Sequence, residues 1–249
     1  MRPSALRSHP SARLRPVGFD PPPEHAKPVK ENRTLTSDLF GRLRTDILHC
    51  RLAPNSRLLF RDLRETYSSG MSPLREALMR LASDGLVVLE DHKGFRVAPV
   101  SPDELVDIAN TRCELEGLAL RLSIEKGDDA WEANIVARFH ELSKRSTYTG
   151  DGTLDAEWER RHDAFHRALY ASCGLRWLTN FCELLAERAY RYRHLLLEHV
   201  DRTRDHRSEH ENIMRTALER RAPEAVALLQ NHYLRTVSTL VERWQDLVK

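Results

Sequence analysis

A short amphipathic stretch, Ser72 to Val87, constrains the fold more than any other part of the chain. Its apolar residues recur at the spacing that places side chains on one face of an α-helix. These residues are Leu74, Leu78, Leu81 and Ala82. Ser72 followed by Pro73 is a typical helix start, since the serine hydroxyl can cap free N–H groups and proline fits the first turn. With Gly85 as the stop, the pattern predicts a short helix over residues 72–84 that buries one face.

The segments around this helix predict a winged helix-turn-helix module. Residues 36–50 and 60–67 have the periodicity of two further helices. Residues 86–89 and 95–98 are two apolar runs separated by a polar, glycine-containing segment, which is typical of a β-hairpin. In such a module the N-terminal end of the recognition helix, here residues 72–84, enters the DNA major groove.

Two segments carry a resemblance to a known family. Residues 73–86, PLREALMRLASDGL, resemble the P-[VL]-R-E-A-L-x-x-L-x-x-x-G-L signature of the GntR family of bacterial transcription regulators. Residues 52–58, LAPNSRL, resemble its L-x-P-G-x-x-L turn, with Asn55 where the family has glycine. The resemblance implies DNA contacts from the second helix, the recognition helix and the wing tip. The matching residues are Arg61, Ser72, Arg75, His92, Lys93 and Gly94.

Length and composition predict two domains and a tail. A chain of 249 residues is long enough for a small module and a larger core. Residues 1–33 are rich in proline and arginine and predict a disordered basic tail, followed by the winged helix over 34–100 and a helical domain over 101–249. The net charge of +2 means that a DNA surface must be a local basic patch. No apolar run could span a membrane and the four cysteines have no CxxC spacing, so we expect a reduced, cytoplasmic protein.

From Ser101 onward the chain has only the patterns of long helices. We predict six of them, at about 101–126, 128–146, 154–172, 175–199, 206–220 and 223–247. The expected fold is therefore mainly α, a winged helix-turn-helix followed by an all-α six-helix bundle. The bundle resembles the FCD ligand-binding domain of FadR-type GntR regulators in its six-helix form.

Histidines provide the sharpest chemical feature. His162 and His166 are one helical turn apart, so both imidazoles can project toward one metal ion, although such pairs are more often ordinary surface or core residues. The resemblance implies a metal held by these two positions and by one histidine from each of the last two helices, His210 and His232. His162 stands where relatives have Asp or Asn. An all-nitrogen set favours zinc or nickel over manganese.

A metal in the bundle would attract a small carboxylate, which also needs a cationic partner. Arg112 matches an R-x-x-[LM]-E element whose arginine often faces the effector in the resembled domain, but an internal Arg112–Glu116 ion pair is an equal alternative. Further candidates for the same pocket are Tyr148, Arg188, Tyr192 and Arg193. Several longer runs, including residues 158–166, resemble the glutarate-responsive carbon-starvation repressors of the family. That resemblance implies glutarate or 2-hydroxyglutarate as the effector.

The function expected from these features is a non-enzymatic one. We expect a homodimeric repressor that reads a palindromic operator and is released by the carboxylate. One alternative is a metal-dependent hydrolase, because the His162-Asp163-x-x-His166 spacing is that of the zincin helix with Asp in place of the general-base Glu. Another alternative is a DNA-binding regulator with a purely structural metal. Substrate turnover would identify the first, and operator binding that is insensitive to ligand would identify the second.

Overall fold

The protein is described from a computed structural model over residues 35–196 and 204–247. The tail predicted for residues 1–33 lies outside these ranges. The head, residues 35–98, contains three helices and a three-stranded antiparallel sheet of order β1-β3-β2. Its elements are α1 (Leu35–Leu48), β1 (Arg57–Leu58), α2 (Phe60–Tyr67), α3 (Met71–Ser83), β2 (Val87–Glu90) and β3 (Gly94–Val97).

The apolar residues of the head form one core. The inward faces predicted for the first and third helices are confirmed, because the leucines that define them are buried together against the sheet. These are Leu39, Leu43, Leu74, Leu78 and Leu81, which pack with Phe95 and Val97 of β3. The strand register, with Leu58 opposite Phe95 and Val87 opposite Val97, turns these side chains to the helices. The predicted winged helix-turn-helix is thus confirmed.

Two details of the head differ from the prediction. The recognition helix α3 begins at Met71 with Gly70 at the N-cap position, so Ser72 lies inside the first turn and the prediction of a serine cap is wrong. The extended backbone of Gly70 places its carbonyl where the Leu74 N–H can bond to it. Strand β1 was missed, since two residues are too few to give a periodic pattern.

Among residues 99–196 and 204–247, six helices follow the head and form the predicted all-α bundle. They are α4 (Pro102–Lys126), α5 (Asp129–Ser143), α6 (Ala156–Leu169), α7 (Arg176–Leu196), α8 (His206–Leu218) and α9 (Ala222–Leu247). The Ser101 cap is confirmed, because its hydroxyl accepts a hydrogen bond from the Glu104 N–H at 3.1 Å. Helix α4 packs against both α7 and α9, and α5 packs against α6. The last three residues predicted for α7 lie outside the described ranges.

The connection between α5 and α6 is longer than the sequence pattern indicates. Helix α5 ends at Ser143, three residues before the predicted end, and residues 147–155 form a tight turn closed by a single bridge between Tyr148 and Leu154. Asp155 then caps α6 by accepting from the N–H groups of Glu157 and Trp158. Among residues 35–196 and 204–247, no helix has the length and apolar character needed to cross a membrane.

Candidate metal and effector site

Four histidines from three helices meet inside the bundle. His162 and His166 come from α6, His210 from α8 and His232 from α9. One ring nitrogen from each lies within 4.8 Å of the others, and all four side chains are buried. This is the set that the sequence suggested, and a cluster of this kind is a suitable site for a divalent metal.

The cluster holds its imidazoles in the neutral state that binds metals. Burial lowers the pKa of His162, His166 and His210 well below the ordinary value, and the neighbouring histidines lower it further. Nε2 of His162 and Nε2 of His166 are 3.1 Å apart, and Nε2 of His210 has no hydrogen-bond partner among the described residues. Buried nitrogens without partners are costly, and a shared cation would satisfy them.

Two of the histidines are oriented by a second residue that fixes which nitrogen carries the proton. Tyr233 donates its hydroxyl proton to Glu116 at 2.5 Å and can therefore accept from Nδ1–H of His166 at 3.0 Å. Nδ1–H of His232 donates to Glu209 at 2.8 Å. In both residues the lone pair is then on Nε2, which faces the cluster, as in metal sites whose histidines are held by a carboxylate.

Glu209 is the centre of a small charged group at the edge of the cluster. Burial alone would raise the pKa of this carboxyl, but the hydrogen bonds from His232 and Arg204 lower it below its usual range. Arg204 lies 2.5 Å from one carboxylate oxygen and Arg235 lies 2.7 Å from the other. No sequence pattern indicates this role, because the contacts join α8 to α9 and to the segment that precedes α8.

A cavity of about 40 Å³ lies against the histidine cluster. His162 and His232 form part of its wall, with apolar residues of α4 and α9 such as Leu105 and Leu240. Two arginines, Arg112 of α4 and Arg193 of α7, also line it. A small space that combines apolar walls, two cations and a candidate metal site suits a short anionic ligand.

Arg112 forms the predicted ion pair with Glu116 and also lines the cavity. It donates Nε–H to Glu116 at 2.6 Å, and its guanidinium lies 4.1 Å from the ring centre of Tyr233. Burial would lower the pKa of Arg112, but the adjacent Glu116 raises it above the ordinary value, so the residue stays charged. Since the hydrogen bonds of Arg112 to described residues use only Nε, its terminal nitrogens can receive a ligand carboxylate. Through Glu116 and Tyr233 the same arginine is connected to His166.

Of the other residues predicted to line the effector pocket, some lie on the cavity wall and others do not. Arg193 lines the cavity and forms a bidentate pair with Glu159. Tyr192 is buried but is not part of the cavity wall, because its hydroxyl donates to Glu104 and accepts from the Ser101 N–H. Arg188 bonds to the carbonyl of Gly85 in the head. Sequence reasoning gave no role to Trp158 and His206, which both line the cavity.

Asp163 does not lie where the general base of a metal-dependent hydrolase is needed. Asp163 is paired with Arg167 at 2.7 Å and does not line the cavity beside the histidines. A base must lie within hydrogen-bond reach of the attacking water, directly or through one water molecule. The carboxylate of the HDxxH stretch instead faces the outer side of α6.

The residues expected to contact DNA lie on the surface of the head. Arg61 is exposed in the first turn of α2, where it borders a shallow groove, and Ser72 and Arg75 are exposed near the start of α3. His92 and Lys93 form the exposed wing turn between β2 and β3. Gly94, which the sequence placed in the tip, begins β3, and its φ of +85° needs glycine. Arg75 lies over the Phe60 ring and Arg61 is paired with Asp62.

Helix α7 connects this DNA-binding surface to the cavity. On one side it carries Ala189 and Arg193, which line the cavity. On another side Arg191 is buried against the head and donates to the carbonyl of Ala98, while Arg188 donates to the carbonyl of Gly85 at 3.0 Å. Tyr190 lies 3.1 Å from the ring of His49 at the end of α1. One helix thus contacts both the cavity and the head.

Comparison with known proteins identifies the two parts of the chain. Residues 35–97 match the model of the bacterial regulatory proteins of the gntR family, and residues 107–235 match the FCD domain. The chain belongs to the GntR family of bacterial regulatory proteins. It is a DNA-binding transcriptional regulator with an FCD domain, and the expectation that it is not an enzyme is confirmed by relatives that are all regulators.

Two curated relatives match most of this GntR regulator. It is 35% identical to the HTH-type transcriptional repressor GlaR of Escherichia coli over 81% of this chain and 94% of the relative. It is 36% identical to the HTH-type transcriptional regulator BphR of Paraburkholderia xenovorans over 86% and 88% of the two chains. The solved structure of E. coli McbR/YncC has the same fold, with a TM-score of 0.69 and 22% identity over 85% of this chain and 99% of that one.

Proposed function

We propose that this GntR regulator is a repressor that a small dicarboxylate releases from its operator, and that the effector binds in the cavity beside a divalent metal. The observation that carries the proposal is the cluster of four buried histidines beside a cavity whose wall includes two of them, His162 and His232, together with Arg112. Similarity to the repressor GlaR supports the direction of regulation. The sequence resemblance supports glutarate or 2-hydroxyglutarate as the effector.

The residues present fit zinc, with nickel as the second choice. Four imidazole nitrogens within 4.8 Å of one another form a donor set without oxygen or sulfur. His166 and His232 are already held with Nε2 facing the cluster, by Tyr233 and Glu209. A bound zinc ion would supply a positive charge to which a carboxylate can coordinate.

Besides the metal, side chains of the cavity wall contact the effector. Arg112 offers its terminal N–H groups on the α4 side of the cavity, and the apolar residues Leu105 and Leu240 exclude water from the ligand's hydrocarbon part. A ligand carboxylate that pairs with Arg112 would weaken the ion pair between Arg112 and Glu116. Glu116 in turn accepts the hydrogen bond from the Tyr233 hydroxyl. The anion is thereby coupled to the orientation of His166.

Release from DNA requires that the effector favour one arrangement of the head over another. Helix α7 provides the connection, since Arg193 lines the cavity and Arg188 and Arg191 bond to the head. Two heads on a twofold axis would read the two halves of a palindrome, so a homodimer is part of the proposal. An effector that changes the position of α7 alters how both recognition helices meet the DNA.

The test is the unfolding free energy of the zinc-loaded protein with glutarate, 2-hydroxyglutarate, succinate and citrate. A ligand at one hundred times its dissociation constant stabilises the folded protein by about 2.7 kcal/mol. We expect this stabilisation with the five-carbon diacids. His166→Ala should lose both the zinc found by elemental analysis and the stabilisation, whereas the exposed His140→Ala should keep both.

A structural metal is the second candidate, because four histidines can fill the tetrahedral shell that zinc adopts in structural sites. Bound zinc without any stabilisation by the carboxylates would favour this candidate and contradict the effector proposal. Retention of zinc by His166→Ala would contradict the site.

A further inference from the structure

His206 is a half-buried residue whose two ring nitrogens are shielded from solvent and have no hydrogen-bond partner among the described residues. It is the first residue of α8 and lines the cavity next to the histidine cluster. Hydrogen-bonding groups that are shielded from water without a partner destabilise a protein, and native structures contain few of them. A ligand that enters the cavity would supply the missing hydrogen-bond partner of His206.

His206 lines the cavity beside Trp158. The ring centre of Trp158 lies 4.8 Å from that of His162, on which it stacks, and 6.0 Å from that of His206. The indole thus lies next to both a member of the cluster and His206. On α8, His206 precedes His210 by one helical turn, which is about 6 Å along the axis. This separation is comparable with the length of a short aliphatic diacid.

The groups around His206 suit an anion. Burial, and next the charge of Arg204, lower the pKa of His206 to about 4, so the ring is neutral at pH 7 and offers one N–H donor. Arg193 is a second donor on the cavity wall. Its pair with Glu159 uses Nε and Nη2, so that Nη1 is left for a ligand.

We propose that His206, together with Arg193, binds the distal carboxylate of a dicarboxylate whose other carboxylate lies at the histidine cluster and Arg112. This inference rests on the proposed function, because it assumes that an acid binds beside the metal site. It adds that the cavity recognises both ends of the ligand. A monocarboxylate of equal length would leave the N–H of His206 unsatisfied, so His206 becomes a residue that determines specificity for diacids.

The experiment compares glutarate with pentanoate, which has the same five carbons and a single carboxylate, by calorimetric titration of the full-length, zinc-loaded protein. We expect the wild type to bind glutarate more tightly than pentanoate. His206→Phe keeps a ring beside Trp158 but removes both nitrogens. It should weaken glutarate binding by about ten- to hundredfold, the effect of one hydrogen bond to a charged group, and change pentanoate binding by less than about twofold.

A matched variant and a control separate recognition from damage to the fold. His206→Gln keeps an N–H donor and should retain part of the preference for glutarate. The exposed His140→Phe should bind both acids as the wild type does. Melting curves of the variants establish that each is folded and zinc-loaded before titration.

The possible failures are distinguishable. Equal weakening of glutarate and pentanoate by His206→Phe, or no weakening of either, would overturn the role of His206 while leaving the effector site in place. Equal affinity of the wild type for the two acids would also overturn it. A zinc-loaded wild type that binds neither glutarate nor any other acid of the panel would overturn the proposed function, and this inference with it.

Discussion

The head and the helical bundle differ in what they bury. In the head the core is built from aliphatic and aromatic side chains, and the residues assigned to DNA contact lie on its surface. In the bundle, Arg112, Glu116, Glu159 and the four clustered histidines are buried among the helices. Of the described residues, every buried arginine, glutamate and histidine belongs to the bundle.

This difference indicates where each part can recognise another molecule. A core without charges stabilises the head but recognises nothing, so recognition is left to exposed arginines such as Arg75. A buried charge is stable only if it is paired and hydrogen-bonded, so each one in the bundle requires a specific partner. Such a network responds when a ligand replaces one of the partners, which a purely apolar core cannot do.

The strongest test of the comparison removes one half of a buried ion pair. Arg112→Met leaves Glu116 charged and uncompensated inside the bundle, so the free energy of unfolding should fall by about 3–5 kcal/mol. Chemical denaturation of the zinc-free protein measures this change. Adding Glu116→Gln to the same variant should restore most of the loss, because the stranded charge is removed.

Arg121 and Glu125 provide the matched control, since they form an exposed pair with the same i,i+4 spacing on the same helix. Arg121→Met should cost less than about 1 kcal/mol. Similar losses in both single variants would show that the bundle does not depend on its buried charges in the way proposed.

A second test concerns the surface of the head. Arg75→Ala removes an exposed guanidinium, so it should weaken specific DNA binding by about 1–3 kcal/mol and leave both stability and zinc content unchanged. Fluorescence anisotropy with a DNA site selected by the wild type from a random library measures the affinity. Arg80→Ala, an exposed arginine later in α3, is the control and should have the smaller effect. Undiminished binding by Arg75→Ala would remove Arg75 from the DNA interface.

The smallest expected effect is a pH dependence that belongs to the bundle. Because burial lowers the pKa of His206 to about 4 from about 6.5 in the unfolded chain, the unfolded state binds the proton more readily. Above about pH 6.5 the ring is neutral in both states and does not lower the free energy of unfolding. As the pH falls from there toward 4, the free energy of unfolding decreases, because only the unfolded state takes up the proton. Between pH 7 and pH 5.5, His206 should therefore account for a loss of about 1 kcal/mol.

The measurement compares zinc-free wild type with His206→Phe at the two pH values. The difference between their losses isolates His206, since the clustered histidines titrate in both proteins. Identical losses would mean that His206 is solvated in solution, in conflict with its buried environment.

The amino-acid sequence predicts the larger features of both regions because they depend on periodicity. The apolar faces of α1 and α3, the wing hairpin and the six bundle helices follow from spacing and from breaks such as Gly85 and Gly174. The family signature places Arg75 at the recognition helix, and the histidine pattern selects His162, His166, His210 and His232. The prediction of Ser72 as the helix cap failed, since the helix begins one residue earlier, at Met71, and Gly70 is also a residue type that N-cap positions favour.

The pairing of charges from distant parts of the chain depends on the packing of the helices. Glu209 with His232, Tyr233 with Glu116, and Arg193 with Glu159 are contacts between helices, and no spacing along one helix determines them. The same holds for His206, which has no neighbouring pattern but lines the cavity next to Trp158. Periodicity and motifs along the chain are enough to predict a winged-helix regulator with four candidate metal ligands. The packing of α4, α6, α7, α8 and α9 decided which side chains share a cavity, because burial and charge pairing are properties of the assembled bundle.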